Sequence, residues 1–155
     1  GAVMVTEAVL PFVQEAKGSI AVLSSVAGFA PLYARSAYSA SKHALHGFFE
    51  SLRGELLDDD IHIMMVCPSF IATQKAPDTD LSTAKSGLAR PGSATETAGK
   101  ALSPDFVARE IIKGIGRGKR QLVVGRLARL SWVVSRFFPA FYEKRMLESM
   151  KAEVS

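Results

Sequence analysis

The 155-residue sequence predicts an α/β chain, a parallel sheet with helices on both of its faces. Three observations predict it. Stripes of apolar residues at the helical period alternate along the chain with short apolar runs. The runs SIAVLSS, HIMMVC and QLVVG are almost uncharged, as strands covered on both faces are. The composition is 48% hydrophobic and 22% charged, which supplies a core and argues against disorder.

Each element follows in order. Gly1–Ala16 is a helix, because Val3, Val5, Ala8, Val9 and Phe12 form a stripe near the helical period. Pro11 is expected to bend it or cut it short, and Lys17-Gly18 to end it, with Gly18 at the stop position. Ser19–Ser25 is the first strand, and Gly28–Ser36, rich in small residues, is loop. Ala37–Leu57 is the longest helix, on which Ala44, Leu45, Phe48, Phe49, Leu52 and Leu56 repeat at three and four. Asp58, Asp59 and Asp60 would oppose the dipole inside a helix C-terminus, so they belong in the exit turn. His62–Cys67 is the second strand, ended by Pro68. Ser69–Ser103 lacks a clear period, the mark of a lid, a binding loop or a mobile segment. Pro104–Gly116 is a helix with Ser103 as its N-cap and Pro104 at its first position. Gln121–Gly125 is the third strand, and Leu127–Met150 is helical, broken at Pro139. Three strands leave an unpaired edge that stable proteins cover, so more of the sheet is expected before Gly1.

Charge is uneven. Residues 1–108 carry 8 Lys/Arg against 11 Asp/Glu, a net of −3, and residues 109–155 carry 11 against 4, a net of +7. A basic tail suits an anionic surface or a solvated helix face; no nucleic-acid partner is expected. The single cysteine, Cys67, has no partner for an internal disulfide, and Gly1–Glu15 has no basic segment of the secretory kind. A cytoplasmic location is the expectation, with peripheral contact at a membrane as its extension.

Tyr38-Ser39-Ala40-Ser41-Lys42 puts a phenol and an ammonium four residues apart on one face at the start of a helix. A phenol that titrates near about 10 is a poor base at neutral pH. A cation beside it stabilises the phenolate, which lets a tyrosine exchange a proton with an alcohol or carbonyl oxygen. By itself the spacing is common by chance and equally describes a surface pair. Ser25 closes the first strand, at the carboxyl edge where α/β sheets bind ligands. Its hydroxyl can bond a substrate oxygen as charge develops there, or, with Ser24, simply turn the chain. Tyr33 is a rival tyrosine, but Ala37 rather than a base stands four residues on. His43, His46 and His62 form no metal-ligand pattern with Cys67, and no metal is expected.

Taken together, GSIAVLSSVAG, SAYSASKHAL and CPSFIAT resemble the short-chain dehydrogenase/reductase family. There a strand ends in Ser-Ser-x-Ala-Gly, Tyr-x-x-x-Lys follows at this spacing, and Pro-Gly-x-x-x-Thr closes the next strand. The resemblance implies the C-terminal portion of a Rossmann-like, doubly wound parallel sheet over residues 1–125, with a helical extension over 126–155. It implies Tyr38 as general acid/base, Lys42 as the cation that favours its phenolate and binds the nicotinamide ribose hydroxyls, and Ser25 as the holder of the substrate oxygen. It implies Pro68, the backbone at Ile71 and the hydroxyl of Thr73 beside the nicotinamide carboxamide. The cofactor is NAD or NADP; the residue that would choose between them belongs to a part of the family's fold that this sequence does not contain. Two departures stand out. Ser69 replaces the family's glycine after Pro68 and would be strained if that position needs positive φ. The family's Gly-rich phosphate loop, Asn-Ala-Gly segment and catalytic asparagine normally precede the helix that opens this sequence, which therefore reads as a fragment.

The tail Leu130–Tyr142 is aromatic with basic flanks. Arg136 and Pro139 interrupt it, and a bilayer span needs about 20 apolar residues. An interfacial helix pair, a lid over the substrate and a subunit contact are the alternatives. The tail is similar to extensions of the family's lipid- and steroid-active members. The expected protein is an NAD(P)-dependent oxidoreductase acting on a hydrophobic secondary alcohol or its carbonyl counterpart. The resemblance adds a homodimer built on the Gly1–Ala16 and Ala37–Leu57 helices. The alternative is a non-catalytic interaction protein derived from the same fold, with Tyr38 and Lys42 idle.

Overall fold

Residues Ile63 to Cys67 have no exposed surface, and the fold is arranged around them. The computed structural model describes residues 1–32, 35–72 and 101–154. Strand β2 (His62–Pro68) lies between β1 (Ser19–Leu23) and β3 (Gln121–Val124), and both neighbours run parallel to it. Because side chains alternate across a strand, β2 feeds two cores. Ile63, Met65 and Cys67 meet Val22, Phe49 and Leu56, with Leu10 of helix α1 (Ala2–Glu15) and Leu45 and Leu52 of helix α2 (Ser36–Glu55) packed around them. Met64 and Val66 meet Val107, Leu122 and Val124 under helix α3 (Pro104–Gly116). Each such side chain stabilises the fold by about 1.5–3 kcal/mol on burial. Helices on both faces of a parallel sheet are what the alternating pattern predicts, and they fit the Rossmann-like arrangement that the resemblance implies.

The helix ends are set locally. α1 continues through Pro11 to Glu15 rather than stopping there, since a proline removes one intrahelical bond and the turns on either side keep theirs. At its C-terminus Gly18 N–H donates to the Val13 carbonyl at 2.9 Å and Lys17 N–H to that of Gln14 at 3.1 Å, a Schellman motif. Lys17, with φ 47°, takes the left-handed position expected for Gly18. Its ammonium pairs at 2.9 Å with Asp60, another left-handed residue (φ 55°), in the exit turn of α2. The three aspartates lie in that exit, as their charge requires. α3 opens as predicted: Ser103 Oγ accepts from Phe106 N–H at 3.2 Å, and Pro104 is the first helical residue. α3 approaches the sheet closely at Gly114, where a Cβ would stand 2.9 Å from Met64 Sδ.

β1 is shorter and less covered than its composition predicts. It ends at Leu23, and Ser24 N–H reaches across to the Val66 carbonyl at 2.8 Å as the chain leaves the ladder. Among the described residues β1 has one neighbouring strand, and Leu23 is 57% exposed; burial on both faces describes β2 instead. After β2, Ile71 pairs with Leu102, so the chain leaves towards residue 73 and returns at residue 101 beside the carboxyl end of β2. Beyond β3, Gly125 (φ 106°) leads into α4 (Arg126–Phe137), and Pro139 begins α5 (Pro139–Val154). Tyr142 of α5 is buried, and burial pushes its phenol above the ordinary value.

Candidate active site

Three parallel strands end on one edge of the sheet, and Ser25, Lys42, Pro68 and Ile71 lie at or just beyond that edge. Ser25 follows β1. It caps the short 3-10 turn Val26–Gly28, its Oγ accepting from Ala27 N–H at 3.3 Å. An oxygen that accepts there still has its own O–H to give. The turn-forming role of Ser25 and a substrate-binding role are therefore compatible.

Tyr38 lies in the first turn of α2 and is 43% exposed. Lys42, one turn later, brings its Nζ to 5.8 Å from the centre of the Tyr38 ring. The same ammonium donates to the Leu23 carbonyl at 3.1 Å. That bond holds a flexible side chain at the last residue of β1, two residues before Ser25. An ammonium has three N–H groups, so one bond to the backbone leaves two for a ligand. Tyr38 and Lys42 are thus brought together, and the end of β1 that leads to Ser25 is tied to them.

Pro68 is buried at the end of β2, and Ile71 forms the bridge to Leu102 just beyond it. Ser69 does not have positive φ, so the strain expected of a serine in place of glycine is absent. Its N–H donates to the Val124 carbonyl at 2.9 Å, and its Oγ stands 2.5 Å from where a Cβ on Gly125 would be. Gly125, at φ 106°, is the residue here that needs to be glycine. Thr73 and the rival Tyr33 lie outside the described residues.

The histidines divide. His43 Nδ1 bonds the Ser39 carbonyl of its own helix at 2.9 Å, and His62 Nε2 bonds the Lys119 carbonyl at 2.9 Å. Among the described residues no cluster of His, Cys, Asp and Glu could hold a metal ion. His46 is different: it turns inward towards Cys67 and Gly28. From the sequence it was considered only as a metal ligand and set aside, although Tyr38, Lys42, His46 and Glu50 follow one another at four-residue spacing.

Comparison with known proteins identifies the family and the fold. The profile of the family described as short chain dehydrogenase matches residues 1–82, the stretch that holds β1, α2 and β2. The chain belongs to the short-chain dehydrogenase/reductase family. A Dehydrogenase/reductase SDR family protein 7-like from Drosophila melanogaster is 34% identical over 144 residues, which cover 92% of this chain and 43% of that protein. Dehydrogenase/reductase SDR family member 7B from Bos taurus is 34% identical over 125 residues, 80% of this chain and 37% of the relative. The chain thus spans less than half the length of these curated relatives. Among solved structures, a short-chain dehydrogenase from Burkholderia cenocepacia J2315 in complex with NADP superposes with a TM-score of 0.73 at 17% identity, over 92% of this chain and 52% of that one. A short-chain dehydrogenase from Sphingobium yanoikuyae in complex with NADPH gives 0.59 at 21% identity, over 93% and 50%. At these identities the likeness establishes the Rossmann-like fold.

Proposed function

We propose that the protein carrying this chain is an NAD- or NADP-dependent oxidoreductase that interconverts a secondary alcohol and its ketone, acting on a hydrophobic molecule. One observation carries the reading: the Lys42 ammonium, 5.8 Å from the Tyr38 ring, is tied to the end of β1 at the carboxyl edge of a parallel sheet. The residues present fit the nicotinamide-ribose end of a dinucleotide. They offer a half-exposed phenol, an ammonium with two N–H groups to spare and a serine O–H. When bound, the nicotinamide supplies or takes up the hydride. Because the chain spans 43% of the Drosophila relative, the activity of the whole protein is part of this proposal.

In this reading Tyr38 gives the substrate oxygen its proton during reduction and takes it back during oxidation. Lys42 favours the phenolate and holds the ribose hydroxyls. Ser25 donates its O–H to the same substrate oxygen, a bond that strengthens as negative charge grows there. Pro68, the backbone at Ile71 and the Thr73 hydroxyl orient the carboxamide, with Thr73 assigned from sequence alone. The partners proposed are a second copy of the chain, through α1 and α2, and a membrane surface, through α4 and α5.

The test is Tyr38→Phe in the full-length protein, assayed with NADH and NADPH against a panel of hydrophobic ketones and alcohols. Turnover should fall by about two to four powers of ten with KM nearly unchanged. Near-wild-type turnover in the variant removes the role of Tyr38. A wild-type protein that turns over no substrate and gives no fluorescence titration with either cofactor removes the enzyme reading.

A further inference from the structure

A second row of polar side chains lies behind the Ser25 turn. Tyr38, Lys42, His46 and Glu50 stand four residues apart and so share one ridge of α2. His46 Nδ1 is 3.1 Å from Glu50 Oε1, and its Nε2 is 3.6 Å from Cys67 Sγ. Gln121 Nε2 of β3 lies 3.9 Å from the same sulfur. A carboxylate can only accept, so Nδ1 carries the hydrogen. In the neutral ring Nε2 is then a lone pair, which takes the S–H of Cys67, while the sulfur accepts from Gln121. In this form the hydrogens of His46 Nδ1 and Cys67 Sγ each have an acceptor. Burial agrees with it, since it pushes the Cys67 thiol up to about 11 and keeps its hydrogen in place.

The edge of the imidazole meets backbone. A Cβ on Gly28 would stand 2.7 Å from both Cδ2 and Nε2 of His46, and 2.4 Å from Ser24 Oγ. Gly28 closes the turn that Ser25 opens, its N–H donating to the Ser25 carbonyl at 3.0 Å. The His46 side chain is 12% exposed and has little room to swing away. α2 therefore grips the Ser25 turn on both sides, with Lys42 at Leu23 and His46 at Gly28.

We infer that His46 is a positioning residue: held in one tautomer between Glu50 and Cys67, it sets the Ser25 turn against α2 and with it the distance between the Ser25 hydroxyl and the Tyr38 phenol. This rests on the roles proposed above for Ser25 and Tyr38. His46 acts through the turn rather than on a substrate.

The test uses the full-length protein with His46→Ala, with Glu50→Ala, and with Ser25→Ala alone and combined with His46→Ala. Glu50 is half-exposed, so its loss leaves the core intact if His46→Ala fails to fold. His46→Ala should lower kcat about ten- to a hundredfold, the cost of a misplacement of about 1 Å, with KM for the cofactor unchanged. In the Ser25→Ala background the same substitution should cost nothing more, because the group it positions is already gone. Equal losses in the two backgrounds, or an unchanged kcat, overturn the inference. Two readouts need no turnover. Hydrogen–deuterium exchange over residues 26–28 should quicken in both His46→Ala and Glu50→Ala, and the wild-type ring nitrogen shifts should place the hydrogen on Nδ1. Unchanged exchange in both variants, or a hydrogen on Nε2, overturns the clamp whatever the activity. Quickened exchange in a protein without turnover supports the clamp and defeats the roles of Ser25 and Tyr38 instead.

Discussion

Cys67 has no exposed surface, and burial pushes its thiol from 9.0 up to about 11. A thiol that keeps its hydrogen this firmly is not a nucleophile at neutral pH. The consequence for stability has a definite sign. Below pH 9.0 the folded and unfolded chains both hold the proton, and Cys67 adds no pH dependence. From pH 9.0 to about 11 the unfolded chain releases it while the folded one does not, so stability falls as pH rises. Urea denaturation should show that fall in the wild type and a shallower one in Cys67→Ala; parallel curves would refute the assignment. At this scale the sequence was partly legible. The absence of a disulfide partner was visible, whereas the thiol's place between His46 and Gln121 was not. The left-handed stop after α1 shows the same limit: glycine is the statistical choice, yet Lys17 takes the position and its ammonium finds Asp60.

Helix α2 was the most legible element, because an apolar repeat marks it from Ala44 to Leu56; its twenty residues run from Ser36 to Glu55 against an expected Ala37–Leu57. Its attachment to the sheet was not legible. Arg53 Nε donates to the Ile63 carbonyl at 2.9 Å and Nη2 to the Arg120 carbonyl at 3.1 Å, so one guanidinium ties α2 to β2 and to the residue before β3. Burial, then the neighbouring Arg120, lowers its pKa, with Glu50 opposing; guanidinium remains cationic at any ordinary pH. Arg53→Lys offers a point charge where a fork is needed and should cost about 1–2 kcal/mol, read as a lower urea midpoint. An unchanged midpoint would show that the fork contributes nothing. β1 was legible as a strand but is less buried in this chain than its composition suggests, since an apolar run does not reveal what packs on its faces.

At the scale of the whole molecule, two surfaces among the described residues expose apolar side chains. On α1 and α2, Val3, Met4, Val5, Val9, Phe12 and Phe48 are exposed. If these helices form the proposed dimer, Phe12→Glu with Phe48→Glu should yield a monomer by light scattering; an unchanged mass would exclude this face. On α4 and α5, Leu127, Leu130, Val133, Phe137, Phe138 and Phe141 are exposed beside Arg126, Arg129, Arg136, Lys144 and Arg145. Among the described residues no helix is long and apolar enough to cross a membrane, and the proposed membrane contact would use this face as a helix lying on the surface. Vesicles containing an anionic phospholipid should sediment the protein, less so at high salt and less so for Phe138→Asp with Phe141→Asp. Equal sedimentation of the variant, or none of the wild type, would remove the membrane from the proposal.

Periodicity, caps and motif spacing act over a few residues along the chain, and they sufficed for the element types, their order and the family. Ser103 caps α3 through a residue three positions away, which is why that boundary was readable beforehand. The proximity of Tyr38 and Lys42 was readable for the same reason, the two being one helical turn apart. The arrangement of the site around them needed the folded chain. Lys42 meets a carbonyl 19 residues away, His46 a sulfur 21 away, and Gln121 that sulfur from 54 away. Such contacts depend on strand order, register and the packing of α2 on the sheet, and no local pattern encodes which distant atom a side chain will reach.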